Sequence, residues 1–135
     1  MDFKSILKTV GTGGGGEIVR WGTGTTVQGK VYHLSSTGDW VLAVNQNNEN
    51  GINMLAMALG TTPQDGMLLK GSIRATGAVG TQNGSPLYLG TTAGEVQAIT
   101  PTTPGDIVRI VGYSLSTFSG DFMYFDPSST WIVNA

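Results

Sequence analysis

The chain can draw very little catalytic chemistry from its side chains: one histidine, nine carboxylates and no cysteine. His33 is the single imidazole, so any triad or general base built on histidine must use it. A histidine metal site needs further ligands, and neither a second His nor a Cys exists to supply them. The bland reading of His33, a flat side chain on the face of a strand, is the expectation. Asp121 and Asp126 flank the run FMYF and invite comparison with a glycosidase carboxylate pair. On a strand that spacing places them on opposite faces, ~16–17 Å apart at ~3.3 Å per residue. Both read better as turn residues, as do Asp39, Asp65 and Asp106, each next to a glycine or a turn. Gly11-Thr12-Gly13-Gly14-Gly15-Gly16 formally matches a dinucleotide fingerprint, but that mechanism needs a helix directly after the glycines. The residues that follow, EIVRWGTGTT, are β-branched and broken by glycine. No catalytic residue, cofactor site or metal site is expected.

Composition narrows the class further. Only 12% of the residues are charged and the net charge is -2, so no basic patch exists to hold nucleic acid. No apolar run approaches the ~20 residues of a membrane span. MDFKSILKTV is too short an apolar stretch for a signal peptide and lacks a cleavage site, so use without secretion is expected. Twenty-one glycines with abundant Thr, Ser and Asn favour short strands and turns over helices. A sparsely charged surface also suits a protein that buries much of itself in an assembly.

The elements follow from spacing. Phe3, Ile6, Leu7 and Val10 recur at i, i+3, i+4 and i+7, a short helical stripe that needs a partner to persist. Five glycines among residues 11–16 come next, then EIVRW (17–21) as a short strand. Residues 1–28 therefore read as an N-terminal docking arm with a Gly-rich hinge, and residues 29–135 as the domain. Within it, KVYHLSS and WVLAV flank a turn at Thr37-Gly38-Asp39, and MLLKGSIRAT is a strand with a glycine break. INMLAMALG (52–60) is open between strand and helix. Asn83-Gly84 is a turn signal.

The segment GSPLYLGTTAGEVQAITPTTPGDIVRIVGY (84–113) repeats the preceding pattern. A shift of 55 residues lays Leu34, Val41 and Ala43 on Leu89, Val96 and Ala98, and His33 on Tyr88. Each copy runs strand, turn, strand, loop, strand, turn, strand. The expected fold is all-β: a small β-barrel or β-sandwich of two similar four-stranded units that pack together because neither buries a face alone.

Aromatic residues are the remaining candidates. Trp21 stands alone in the arm and reads as an anchor for a partner's pocket, together with Phe3, Ile6, Leu7 and Val10. Trp40, Tyr113, Tyr124 and Trp131 are candidate interface aromatics.

GMLLKGSIR (66–74), the 84–115 segment ending VRIVGYSL, and FDPSSTWIV (125–133) resemble a module common in tailed-phage virion proteins, many from marine and cyanobacterial phages. These include capsid decoration (cement) proteins and head or tail fibre domains. The likeness spans roughly residues 50–135 and consists of turn glycines and alternating strands; residues 1–28 have no counterpart in it. It implies a β-rich, non-enzymatic virion protein, assembled in the host cytoplasm, homotrimeric, with the major capsid protein or another virion protein as partner. A fibre or neck component attached through the arm, and a host-surface carbohydrate-binding module using Tyr88, Tyr113, Tyr124 or a tryptophan, are the alternatives.

Overall fold

The structure, a computed structural model, describes residues 16–77, 79–80, 82–116 and 121–135. It is all-β. The strands are β1 (Gly16–Val19), β2 (Val31–Leu34), β3 (Trp40–Leu42), β4 (Leu55–Ala58), β5 (Met67–Arg74), β6 (Pro86–Leu89), β7 (Val96–Gln97), β8 (Ile107–Val108), β9 (Ile110–Ser114), β10 (Phe122–Phe125) and β11 (Ile132–Val133). One helical turn, α1 (Glu49–Ile52), and a 3-10 turn at Pro63–Asp65 interrupt them.

The repeated pattern is real at the level of elements. β2 pairs with β3 and β4, and β4 with β5; β6 pairs with β7 and β9, and β9 with β10. The neighbour order β3-β2-β4-β5-β10-β9-β6-β7 thus reads the same unit twice, from its two ends. Residue correspondence slips, however. His33 pairs with Leu55 and Tyr88 with Ile110, a shift of 55 in both partners. Yet His33 is buried, whereas Tyr88 is only half-buried. β6 alternates with Leu87 and Leu89 turned to the core, so Tyr88 points away. Opposite it, Leu87 pairs with Gly112 and Tyr88 with Ile110, and the bulge this leaves at Val111 turns that extra residue to the core as well.

β5 is the longest strand and serves two sheets. Leu68 pairs with both Met57 and Ile18, so β4 and β1 lie on opposite edges of its first half. Gly71 pairs with both Gly16 and Phe125, so β10 lies opposite β1 and takes up the edge that β4 leaves. Sheet I is therefore β1, the first half of β5, β4, β2 and β3. Sheet II is the second half of β5, β10, β9, β6 and β7. The glycine break read in the sequence is this change of partner. β10 stops at Phe125 because Pro127 has no N–H to continue a ladder. Asp126 N and Ser128 N instead donate to Val111 O and Ile110 O, both at 2.8 Å.

The sheet curls until its far ends meet, with Gly94 N donating to Ala43 O (2.7 Å), Asn45 N to Gly90 O (3.0 Å) and Val31 N to Gly94 O (2.8 Å). Between the sheets lies the main core: Val31, Leu55, Met57, Leu68, Ile73, Leu87, Leu89, Val111, Met123 and Phe125. A second cluster, Tyr32, Trp40, Ala56, Ala58 and Met67, lies on the back of sheet I. LAMA of β4 is thus buried on both faces, and it forms a strand despite its helix-favouring residues.

The described part of the expected arm belongs to the domain. Residues 16–19 are β1. Beyond them Trp40 Nε1 donates to Trp21 O (2.8 Å), Trp40 N to Thr23 O (2.9 Å) and Val27 N to the Tyr32 hydroxyl (2.8 Å). Thr26 is buried, its hydroxyl on Gly60 O at 2.7 Å. Residues 21–27 are held against the back of sheet I, so the described part of the expected arm packs on the domain that follows it. The glycine run could not reveal this, because the apolar contacts that hold the segment come from Val19 and the partners of its backbone.

Candidate interaction face

The two outer faces of the molecule differ. On sheet I, Tyr32 and Trp40 are 3% exposed and Ala56, Ala58 and Met67 fully buried, under residues 19–28. On sheet II the outward row across β5, β10, β9 and β6 is Ser72, Tyr124, Tyr113 and Pro86, each paired to the next. Tyr113 is 40% exposed and the other three are half-buried. Tyr88 and Ile110, paired further along the same face, are half-buried too.

Beside this row runs a groove of about 290 Å³ lined by Val108, Ile110, Ser128, Thr130, Trp131 and Ile132. Ile132 is 64% exposed. β8 and β11 pair through Ile132–Val108 and Val133–Ile107, which holds the groove's far wall against the domain. The near wall is set by Arg109. Its Nε donates to Ser128 O (2.9 Å) and its Nη1 to Gly51 O and Asn53 O (both 2.8 Å). Its guanidinium lies 5.2 Å from the centre of the Trp131 ring. Burial pulls its pKa down to about 10, so it remains charged at neutral pH. One buried cation thereby ties α1, the 128–131 turn and the Trp131 wall together.

The other residues singled out in the sequence fall elsewhere. Phe3, Ile6, Leu7 and Val10 lie outside the described residues. Trp21 is 54% exposed, and its carbonyl is held by Trp40. Trp40 is core and leaves the interface set. His33 is 1% exposed, and neither ring nitrogen has a hydrogen-bond partner in the protein. Asp121 Oδ1 accepts from Arg74 Nη1 at 3.0 Å at the start of β10. Asp39 sits in the β2–β3 turn, where the Thr23 and Thr37 hydroxyls lower its pKa. Asp65 caps the 3-10 turn. Gly16 opens a strand, not a helix, so the glycine run lacks the helix N-terminus of a phosphate cradle.

Ile110, Val108 and Ile132 are the site residues that sequence reasoning missed. VRIVGY is apolar without strict alternation, and only the bulge at Val111 decides which of its side chains face out. No protein-family model, curated protein or solved structure matches this chain.

Proposed function

We propose that the chain is a non-enzymatic virion structural protein, a capsid decoration protein that adheres through the outer face of sheet II. The observation that supports this is the contrast between the two faces. The chain covers its own aromatic back on sheet I, but among the described residues none buries Tyr113 or Ile132. A contiguous apolar face with aromatic residues, rimmed by Ser128 and Thr130, suits a protein partner. Each ~100 Å² of apolar area buried there contributes about 2.5 kcal/mol before the cost of association. The virion assignment rests on the resemblance of 66–74, 84–115 and 125–133. Trp21 and the arm extend the contact to neighbouring subunits, and the homotrimer belongs to this assembled state.

The test uses empty capsids of the encoding phage, stripped of decoration. The full chain should sediment with them and raise the temperature at which they break. A Tyr113→Ser, Ile132→Ser double variant that keeps its native circular dichroism should lose at least tenfold in affinity. Equal binding by that variant would overturn the reading. The adjacent Tyr124 and Tyr113, with Ser72 beside them, favour a glycan platform as a second reading, and a glycan array without hits would exclude it.

A further inference from the structure

We propose that the one-turn helix α1 governs the order of the groove between β8, β9 and the 128–132 segment, with Arg109 as the link. The proposal deepens the reading of that groove as a partner site and takes its biological meaning from it. The coupling itself is a property of the free chain.

α1 is too short to hold itself. It has four residues, where an isolated helix needs ~12–15. Bonds to Asn48 close its turn: Asn50 N donates to the Asn48 side-chain oxygen (2.9 Å), and Gly51 N and Ile52 N both donate to Asn48 O (3.0 Å). The turn also depends on glycine at 51, where a Cβ would lie 2.2 Å from Gln46 O and 2.8 Å from Val44 O. Asn47, Asn48 and Glu49 are exposed, so few apolar contacts hold this end and it belongs to the low-stability part of the fold.

The closed turn presents two carbonyls. Arg109 Nη1 donates to Gly51 O and Asn53 O (both 2.8 Å), while Nε donates to Ser128 O (2.9 Å) and the guanidinium lies 5.2 Å from the Trp131 ring centre. The guanidinium is a planar fork, so its orientation toward α1 fixes its orientation toward the groove. Arg109 is 5% exposed, and among the described residues no carboxylate pairs with it. Opening α1 takes Gly51 O and Asn53 O away from a buried cation, which must turn to regain partners. In turning it leaves Ser128 O and the Trp131 ring, and that wall of the groove loosens. A contact on Asn47, Asn48 or Glu49 therefore changes the groove without touching it, and the coupling is reciprocal.

A second route runs beside this one: Ile107 N donates to Asn45 O (2.9 Å), which joins the same loop to β8 directly. Amide exchange on the free full-length chain separates the two. Asn48→Ala removes the side-chain cap and should speed exchange of the Ser128 amide about threefold or more, with Met123–Phe125 on β10 unchanged. In an Arg109→Lys background, which keeps the charge and loses the fork, Asn48→Ala should have no further effect at Ser128. From the groove side, Trp131→Ala should speed exchange of the Gly51 and Ile52 amides by a similar factor, and this arm stands even where Arg109→Lys does not fold. Unchanged Ser128 exchange in Asn48→Ala, an equal effect with and without the arginine, unchanged Gly51 and Ile52 in Trp131→Ala, or a uniform rise that includes β10 would overturn the proposal. Capsid binding enters none of these readouts, so failure of the coupling and failure of the partner reading are told apart.

Discussion

At the residue scale, two buried polar groups carry opposite meanings. Arg109 satisfies three backbone carbonyls and stacks on Trp131, so its desolvation is offset by charge-assisted bonds that fix one wall of the groove. His33 does nothing comparable. It occupies a core-facing position of β2, between Leu55 and Val41 on the neighbouring strands, with both nitrogens unpartnered in the protein. A buried unpaired polar group costs stability, and an apolar side chain of similar volume removes that cost. His33→Leu should therefore stabilise the fold by about 1 kcal/mol in urea unfolding, with an unchanged m-value. A loss of that size instead would show that the imidazole has a role its burial does not reveal. The expectation of a plain strand-face histidine was right about its place on a strand and silent about its depth. Periodicity marks sides, and only the neighbouring sheet decides what is covered.

At the element scale, the fold turns on β5 and on the bulge in β9. Gly112 sits in that bulge between β6 and β10, and a Cβ built there would lie 2.1 Å from Tyr124 O. Gly112→Ala should cost about 2–3 kcal/mol in thermal or urea unfolding, because the obstacle is backbone that cannot move aside. A loss below ~0.5 kcal/mol, the size usual for surface changes, would mean that the β9–β10 ladder is looser than described. Much of this scale was legible in the sequence. The 55-residue shift matched the runs holding β2 and β3 to those holding β6 and β7, and the looser continuation of the pattern set the runs holding β4 and β5 against those holding β9 and β10, because turn glycines and apolar runs recur in the same order. The registers were not legible, since they depend on one inserted residue at Val111. INMLAMALG stayed open for a related reason: a strand buried on both faces carries no alternation to distinguish it from helix. The candidate face was legible only in part. Tyr113, Tyr124 and Trp131 stood out as aromatics, whereas Ile110, Val108 and Ile132 were hidden in runs that read as core.

At the scale of the whole molecule, two sheets share β5 and enclose the main core, and among the described residues only the back of sheet I is covered. Of the segment expected to be a docking arm, residues 16–19 pair with β5 and residues 21–27 are held against the back of sheet I. Low charge, noted first as composition, takes a physical form here as an outer face of tyrosines and branched aliphatics with few charges on it. In the proposed function, this face is where the protein meets its partner. The most direct measurement is hydrogen–deuterium exchange of the full chain, free and bound to stripped capsids. Protection should rise in 84–90, 108–113 and 128–133 and stay unchanged in 31–42, the buried back of sheet I. Protection confined to 31–42, or no difference between free and mixed samples at saturating capsid, would contradict it.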